Sequence, residues 1–304
     1  MQLRIVAFLC ISGLFTATAL RAQDAAEPPP TNWAFKSSVG LNINQSTFNG
    51  AWVGDEVGTF SWSLISNSEA NKYLSPRWPW TNSLLLQFGQ THQQNPDRSA
   101  WLAPIKSSDK IAFRSFLRYM HEWKVDPFVA FDLDSQFFTE NRDLHIFELF
   151  TPARLSESVG FAHAFSDTDQ RRLITRVGFA VRQLINRTYI RSTTPLEVDT
   201  RVTSDGGLEW FTQWRLAKAE DRAYYQGELR VFKAVAVHVD DGPSPLYWPA
   251  VDVDWQNTLS SKVTSWLSFD LFWQLLFDKQ IDLRGQFKQT LGLGLTWYLV
   301  GSAG

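Results

Sequence analysis

Gln286-Phe-Lys-Gln-Thr-Leu-Gly-Leu-Gly-Leu-Thr-Trp297 alternates along nearly its whole length. Phe287, Leu291, Leu293, Leu295 and Trp297 fall on one face, and Gln286, Lys288, Thr290, Gly292, Gly294 and Thr296 on the other. A period of two belongs to an extended strand, whose successive side chains point to opposite sides. The run is also long. Strands of soluble domains average about 5–6 residues, whereas a tilted strand that crosses a bilayer needs roughly 9–11. Length of alternation, more than hydropathy, therefore decides the fold.

The same pattern recurs upstream. Trp33, Phe35, Val39, Leu41 and Ile43 share one face; Ile111, Phe113, Leu117 and Tyr119 alternate with Lys110, Arg114 and Arg118; Val251, Val253, Trp255 and Leu259 alternate with Asp252, Asp254, Gln256 and Thr258. Strands are expected over 32–46, 57–69, 80–92, 109–121, 124–138, 155–165, 173–185, 205–216, 222–233, 250–260, 263–276 and 286–298. Their connections alternate in length. Glu122-Trp123 and Ser261-Lys262 are short, while Gln93–Ser108, Thr139–Arg154, Asn186–Ser204 and Ala234–Pro249 are long. Short turns on one side and long loops on the other mark single-chain membrane barrels. The expected fold is all-β, an antiparallel up-and-down transmembrane β-barrel of about twelve strands, in one domain over 32–298 with a C-terminal tail at 299–304. A soluble periplasmic β-protein is the rival at the level of fold.

Composition fits this reading. The chain has 304 residues with 29 basic against 31 acidic side chains, which gives no basic footprint for nucleic acid. Its mean hydropathy of −0.21 resembles that of a soluble protein, but a barrel reaches such an average because half of each strand faces a polar interior. The 14 Trp and 23 Phe exclude disorder. At the N-terminus, Arg4 precedes the uncharged apolar run Ile5–Leu20, and Ala22 is a small residue at a plausible cleavage point. Residues 1–22 are read as a secretory signal peptide, and 23–31, with Pro28-Pro29-Pro30, as a flexible lead-in. The single Cys, Cys10, falls within the signal, so no disulfide and no cysteine-based metal site is expected.

Interior and rim residues follow from the alternation. Lys110, Arg114, Arg118, Asp132, Asp134, Asp252 and Asp254 occupy the polar face and are candidate lumen-lining residues. Arg114 and Arg118 stand on a strand next to that of Asp132 and Asp134, so these opposite charges are expected to pair across the interior and narrow or block it. Trp33, Trp80, Trp123, Trp255, Trp297 and Tyr298 are candidates for the aromatic girdles that sit at lipid–water interfaces.

Thr290, Gly292, Leu295 and Trp297 fit polar-x-Gly-x-x-hydrophobic-x-aromatic. This resembles the last-strand assembly signal of bacterial outer-membrane barrels. Three groups of stretches also resemble the domain of unknown function 3078 family: Leu41-Asn-Ile-Asn-Gln-Ser with Asn49-Gly-Ala-Trp52; Lys106-Ser-Ser-Asp-Lys-Ile-Ala-Phe-Arg-Ser-Phe-Leu-Arg-Tyr119; and Val253-Asp-Trp-Gln-Asn257 together with Gln286–Leu295. The resemblance implies an outer-membrane β-barrel of unassigned role and brings no catalytic or ligand residues. The expected location is the bacterial outer membrane, with its lipid and the barrel assembly machinery as partners.

Signals for chemistry are sparse. His92, His121, His145, His163 and His238 form no short-spaced metal pair. Asp240-Asp241-Gly242 matches no full calcium loop. No cofactor, metal or catalytic residue is expected, and the chain is read as no enzyme. Passage of small polar solutes through a narrow lumen is the first functional expectation. A structural, binding or assembly component with a blocked lumen and working loops is the alternative, and a membrane lipid hydrolase built around His163 a distant third.

Overall fold

The computed structural model describes residues 32–47, 56–141, 146–168, 170–190, 197–218, 223–239, 247–264, 266–279 and 282–300. The expected signal peptide and lead-in lie outside these residues. Fourteen strands follow one another: β1 (Ala34–Ser46), β2 (Thr59–Tyr73), β3 (Pro79–Gln93), β4 (Ile105–Arg118), β5 (Asp126–Ser135), β6 (Phe138–Asn141), β7 (Ile146–Leu149), β8 (Ala153–Asp167), β9 (Arg171–Ile190), β10 (Glu197–Lys218), β11 (Ala223–Val239), β12 (Val251–Lys262), β13 (Leu267–Phe277) and β14 (Gln286–Val300). Twelve of them close into one antiparallel barrel in the order β1-β14-β13-β12-β11-β10-β9-β8-β5-β4-β3-β2, and β6-β7 form a separate hairpin. Chain neighbours are ring neighbours, with only the hairpin skipped between β5 and β8. The first and last strands seal the ring through pairs such as Val39↔Trp297 and Leu41↔Leu295. Closure removes the open edges that a sheet cannot expose in lipid.

The distribution of side chains is inside-out. Val129, Val159, Phe161, Val177, Leu208, Leu291 and Leu293 all point outward and are more than half exposed. Arg118, Asp132, Ser156, Ser158, Arg176, Glu209 and Asp252 are buried. A soluble sheet would reverse this. Val159 stands near the middle of β8, is 53% exposed and pairs with Phe179 and Val129. Substituting Val159→Arg is expected to cost about 2–4 kcal/mol in vesicle-refolded protein, because the charge must enter the bilayer midplane. Urea unfolding in lipid vesicles reads this directly. A change below about 0.5 kcal/mol, the ordinary value for a water-exposed site, would contradict a lipid-facing position.

The expected strands all occur, but several bounds differ; β2 and β11, for example, run on to Tyr73 and Val239, beyond their expected ends. The expected long link Asn186–Ser204 is mostly strand: β9 continues to Ile190, β10 begins at Glu197, and they pair from Leu216↔Arg171 to Glu197↔Ile190. Turn-forming Asn and Thr residues masked an alternation that carries on beyond the barrel wall. The expected strand 124–138 stops at Ser135, because the Asp109 carboxylate accepts hydrogen bonds from the backbone N–H of Phe137 (2.6 Å) and Phe138 (3.3 Å) and draws the chain away into the hairpin. The last strand runs to Val300, two residues into the expected tail.

Candidate functional site

The lumen begins with small side chains. Ser156, Ser158, Gly160 and Ala162 make the inner face of β8, opposite Gly178 and Ala180 on β9, with Ala130 on β5. Gly160 pairs with Gly178, and the backbones approach so closely that a Cβ on Gly178 would lie 2.1 Å from the Val159 carbonyl oxygen. This wall leaves the volume that long arginines occupy.

Arg114 on β4 crosses the lumen to Glu228 on β11, five strands away around the ring, with Nη2 to Oε1 at 2.7 Å and a second contact from Nη1 to Oε2. Lys110 donates to Gln256 Oε1 at 3.2 Å, from β4 to β12 on the opposite side of the ring. Arg230 donates to Asp132 Oδ2 at 2.5 Å and to Glu209 Oε2 at 3.0 Å. Arg176 reaches the same two carboxylates, at 3.1 and 3.6 Å. Arg182 bridges Asp205 (2.5 Å) and Asp252 (2.8 Å). The Phe211 ring lies among three guanidiniums, 4.2 Å from that of Arg176, 5.1 Å from Arg230 and 5.6 Å from Arg114. Charges buried this deeply persist only when paired and hydrogen-bonded. Asp132 and Glu209 each serve two arginines, and Glu228 and Asp205 each accept two contacts from one guanidinium, so these charges are coupled.

Among the seven candidate lumen residues, the partners differ from the expected set. Arg114 and Asp132 are register partners on adjacent strands, yet Arg114 bonds Glu228 and Asp132 bonds Arg176 and Arg230. Arg118 pairs with Asp167 (2.7 Å) and Asp126 (3.7 Å), and Asp134 contributes its charge near Arg114 and Arg230. Asp252 holds Arg182, and Asp254 accepts from the Gln256 and Gln274 amides. The reason is geometric. The Arg114 guanidinium projects toward the barrel axis, beyond Asp132 on the neighbouring strand, and meets Glu228 from the far wall, whereas Arg182 keeps its register partner Asp205 on β10. Arg176, Arg182, Arg230, Asp205, Glu209 and Glu228 were not singled out from the sequence, although each sits on the polar side of an alternating strand.

At the short-turn end, aromatic side chains gather in contacting pairs. Trp33 packs on Trp80 (5.2 Å), Trp78 on Tyr119 (4.8 Å) and His121 on Trp123 (4.6 Å), and Trp123 is 64% exposed. Trp255 stands apart from these pairs. It projects from within β12 over Asn257, a buried polar residue on the outer face. With the Asn257 amide donating to Tyr225 Oη (2.7 Å), its carbonyl oxygen accepts from the indole N–H groups of Trp255 and Trp273, each at 3.1 Å. The backbone of Trp297 and Tyr298 lies on β14; their side chains fall outside the described residues. Thr290, Gly292, Leu295 and Trp297 all belong to β14, the closing strand. His163 Nδ1 meets the Lys124 carbonyl oxygen, and its ring contacts Phe165.

Outside the spanning strands, Asp97 accepts hydrogen bonds from the Ser99 hydroxyl (2.6 Å) and amide (3.0 Å). These hold its carboxyl below the usual carboxylate range.

A closed antiparallel barrel with a largely apolar exterior and a charged interior crossed by ion pairs defines a membrane β-barrel. Residues 43–140 match the family model described as Protein of unknown function (DUF3078). That span holds most of the first stretch and all of the second stretch that resembled the family, and excludes those at 253–257 and 286–295. No curated protein matches the sequence. Among solved structures, the COG4313 outer membrane channel from Pseudomonas putida F1 is similar at 11% identity, over 92% of this chain and 98% of that one, with a TM-score of 0.38. The translocator domain of autotransporter NalP from Neisseria meningitidis is similar at 10% identity, over 88% of each chain, with a TM-score of 0.39. At such values these are likenesses of barrel form alone.

Proposed function

We propose that the protein is a bacterial outer-membrane β-barrel whose lumen is closed at mid-height, so that it works through its two ends and not as an open diffusion pore. One observation carries this reading: Arg114 and Glu228 meet across the interior from nearly opposite strands, within a layer that also ties Arg176 and Arg230 to Asp132 and Glu209. Outer-membrane lipid against the apolar face and the assembly machinery at β14 are the partners that the inside-out surface and the closing strand suggest. Passage of small polar solutes is the second reading. It draws on Lys288 and Thr290, which face inward yet stay exposed near the long-loop end of β14. No enzymatic role is proposed.

Fractionation and liposome swelling test the two halves of the proposal. The protein is expected in the outer-membrane fraction, and vesicles carrying it are expected to swell in small sugars no faster than empty ones. Recovery in the soluble periplasm would refute the location, and rapid swelling would favour solute passage.

A further inference from the structure

We propose that the short-turn half of the lumen is a binding site for a small oxyanion, a phosphate or a phosphate-bearing solute, held by Arg118, Arg172 and Arg176. A cavity of about 430 Å³ lies there. Its floor is the mid-height ion network, and its mouth is framed by the β2–β3 and β8–β9 turns. That volume falls within the range of small-molecule sites and would otherwise hold about a dozen waters.

The charges around the cavity are unequally placed. Four arginines, Arg114, Arg118, Arg172 and Arg176, line it, with Asp167 as the one carboxylate among the lining residues. Asp132, Glu209 and Glu228, which neutralise Arg114 and Arg176, are not part of that lining. The wall therefore presents the cationic edges of the network while the anionic partners lie behind it. Two donors are also left over. Nε of Arg114 and Nε of Arg176 are buried without a hydrogen-bond partner among the described residues, and the Arg176 side chain is only 7% exposed.

The geometry already holds an internal example of what such a ligand would do. Asp167 receives Arg118 Nη2 on Oδ2 at 2.7 Å and Arg172 Nε on Oδ1 at 3.1 Å, so two guanidiniums converge on one oxyanion at the cavity's edge. Guanidiniums that converge in this way suit carboxylate and phosphate oxygens. Phe116 and Phe211 form apolar wall against which the organic part of a larger solute would pack. The proposal rests on the closed-lumen reading only for its floor.

Calorimetric titration of inorganic phosphate into the full-length protein, folded in detergent at constant ionic strength, tests the site. Saturable binding is expected, weakened at least about ten-fold in Arg172→Gln and less in Arg172→Lys. Arg284→Gln, at a side chain 88% exposed in the β13–β14 loop, is expected to bind as the native protein does. If Arg172→Gln fails to fold, Ser83→Asp, which puts a carboxylate into the cavity wall, is expected to abolish binding. Absence of saturable binding by the native protein, or undiminished binding in the folded variant tested, would overturn the proposal. Conductance of the same sample is read separately: phosphate binding in a freely conducting barrel would remove the closed lumen and leave the site.

Discussion

Asp132→Ala is expected to destabilise the folded barrel by about 3–5 kcal/mol, the usual cost of removing one partner from a buried ion pair. Asp132 is 3% exposed and carries Arg230 at 2.5 Å and Arg176 at 3.1 Å. Without it, Glu209 is the carboxylate left in contact with these two buried guanidiniums. Replacing the carboxylate by an apolar side chain of similar volume does not rescue the site, because the arginines stay charged. Asp132→Asn keeps an acceptor and is expected to lose less. The midpoint of urea unfolding in lipid vesicles reads the difference. A loss under about 1 kcal/mol, the scale of an exposed pair, would show that the network is solvated and does not fill the lumen.

Gly178→Val is expected to prevent assembly of the native barrel, or to destabilise it by at least the roughly 3 kcal/mol upper end of ordinary overpacking. A Cβ at Gly178 would sit 2.1 Å from the Val159 carbonyl oxygen and 3.0 Å from Gly160 Cα, and one at Gly160 would sit 2.3 Å from the Val177 oxygen. These are backbone atoms in paired strands, so neither side can yield without breaking the ladder beside Arg176 and Arg182. Gly285 supplies the contrast: nothing lies within 4 Å of a Cβ built there, and Gly285→Ala is expected to fold normally. Heat-modifiable migration on gels separates folded from unfolded barrel in each case. Native-like migration and stability of Gly178→Val would mean that β8 and β9 do not approach as described.

The wall of this barrel was legible in the sequence because a strand's two faces are written side by side. Phe287, Leu291 and Leu293 announce one face and Lys288 and Thr290 the other, and no distant residue alters that. The strand count and the two kinds of connection followed from it. Misreadings came where a local signal met a longer-range constraint. Asn186 and its neighbours carry turn chemistry, yet pairing with β10 keeps them extended. Asp109 reads as one more polar strand residue, but its carboxylate redirects Phe137 and Phe138.

The interior was legible by type and illegible by partner. Alternation places Arg114 in the lumen, whereas its bond to Glu228 depends on ring closure, on strand number and on the small residues of β8. Cross-strand register favours Asp132 as its neighbour, and register alone does not account for side-chain reach toward the axis. Trp255 illustrates the same limit on the outer face. An indole near a turn-rich segment suggests a girdle, and its actual place over Asn257 is set by Tyr225 and Trp273 on the two flanking strands.

The closed lumen is the central claim, and planar-bilayer recording of the purified native protein tests it most directly. The expected result is a membrane that contains the protein and shows no steady unitary conductance above baseline at neutral pH. Large, stable, uniform conductance steps from the native protein would contradict it, because ions would then pass the layer that joins Arg114 to Glu228 and Arg230 to Asp132.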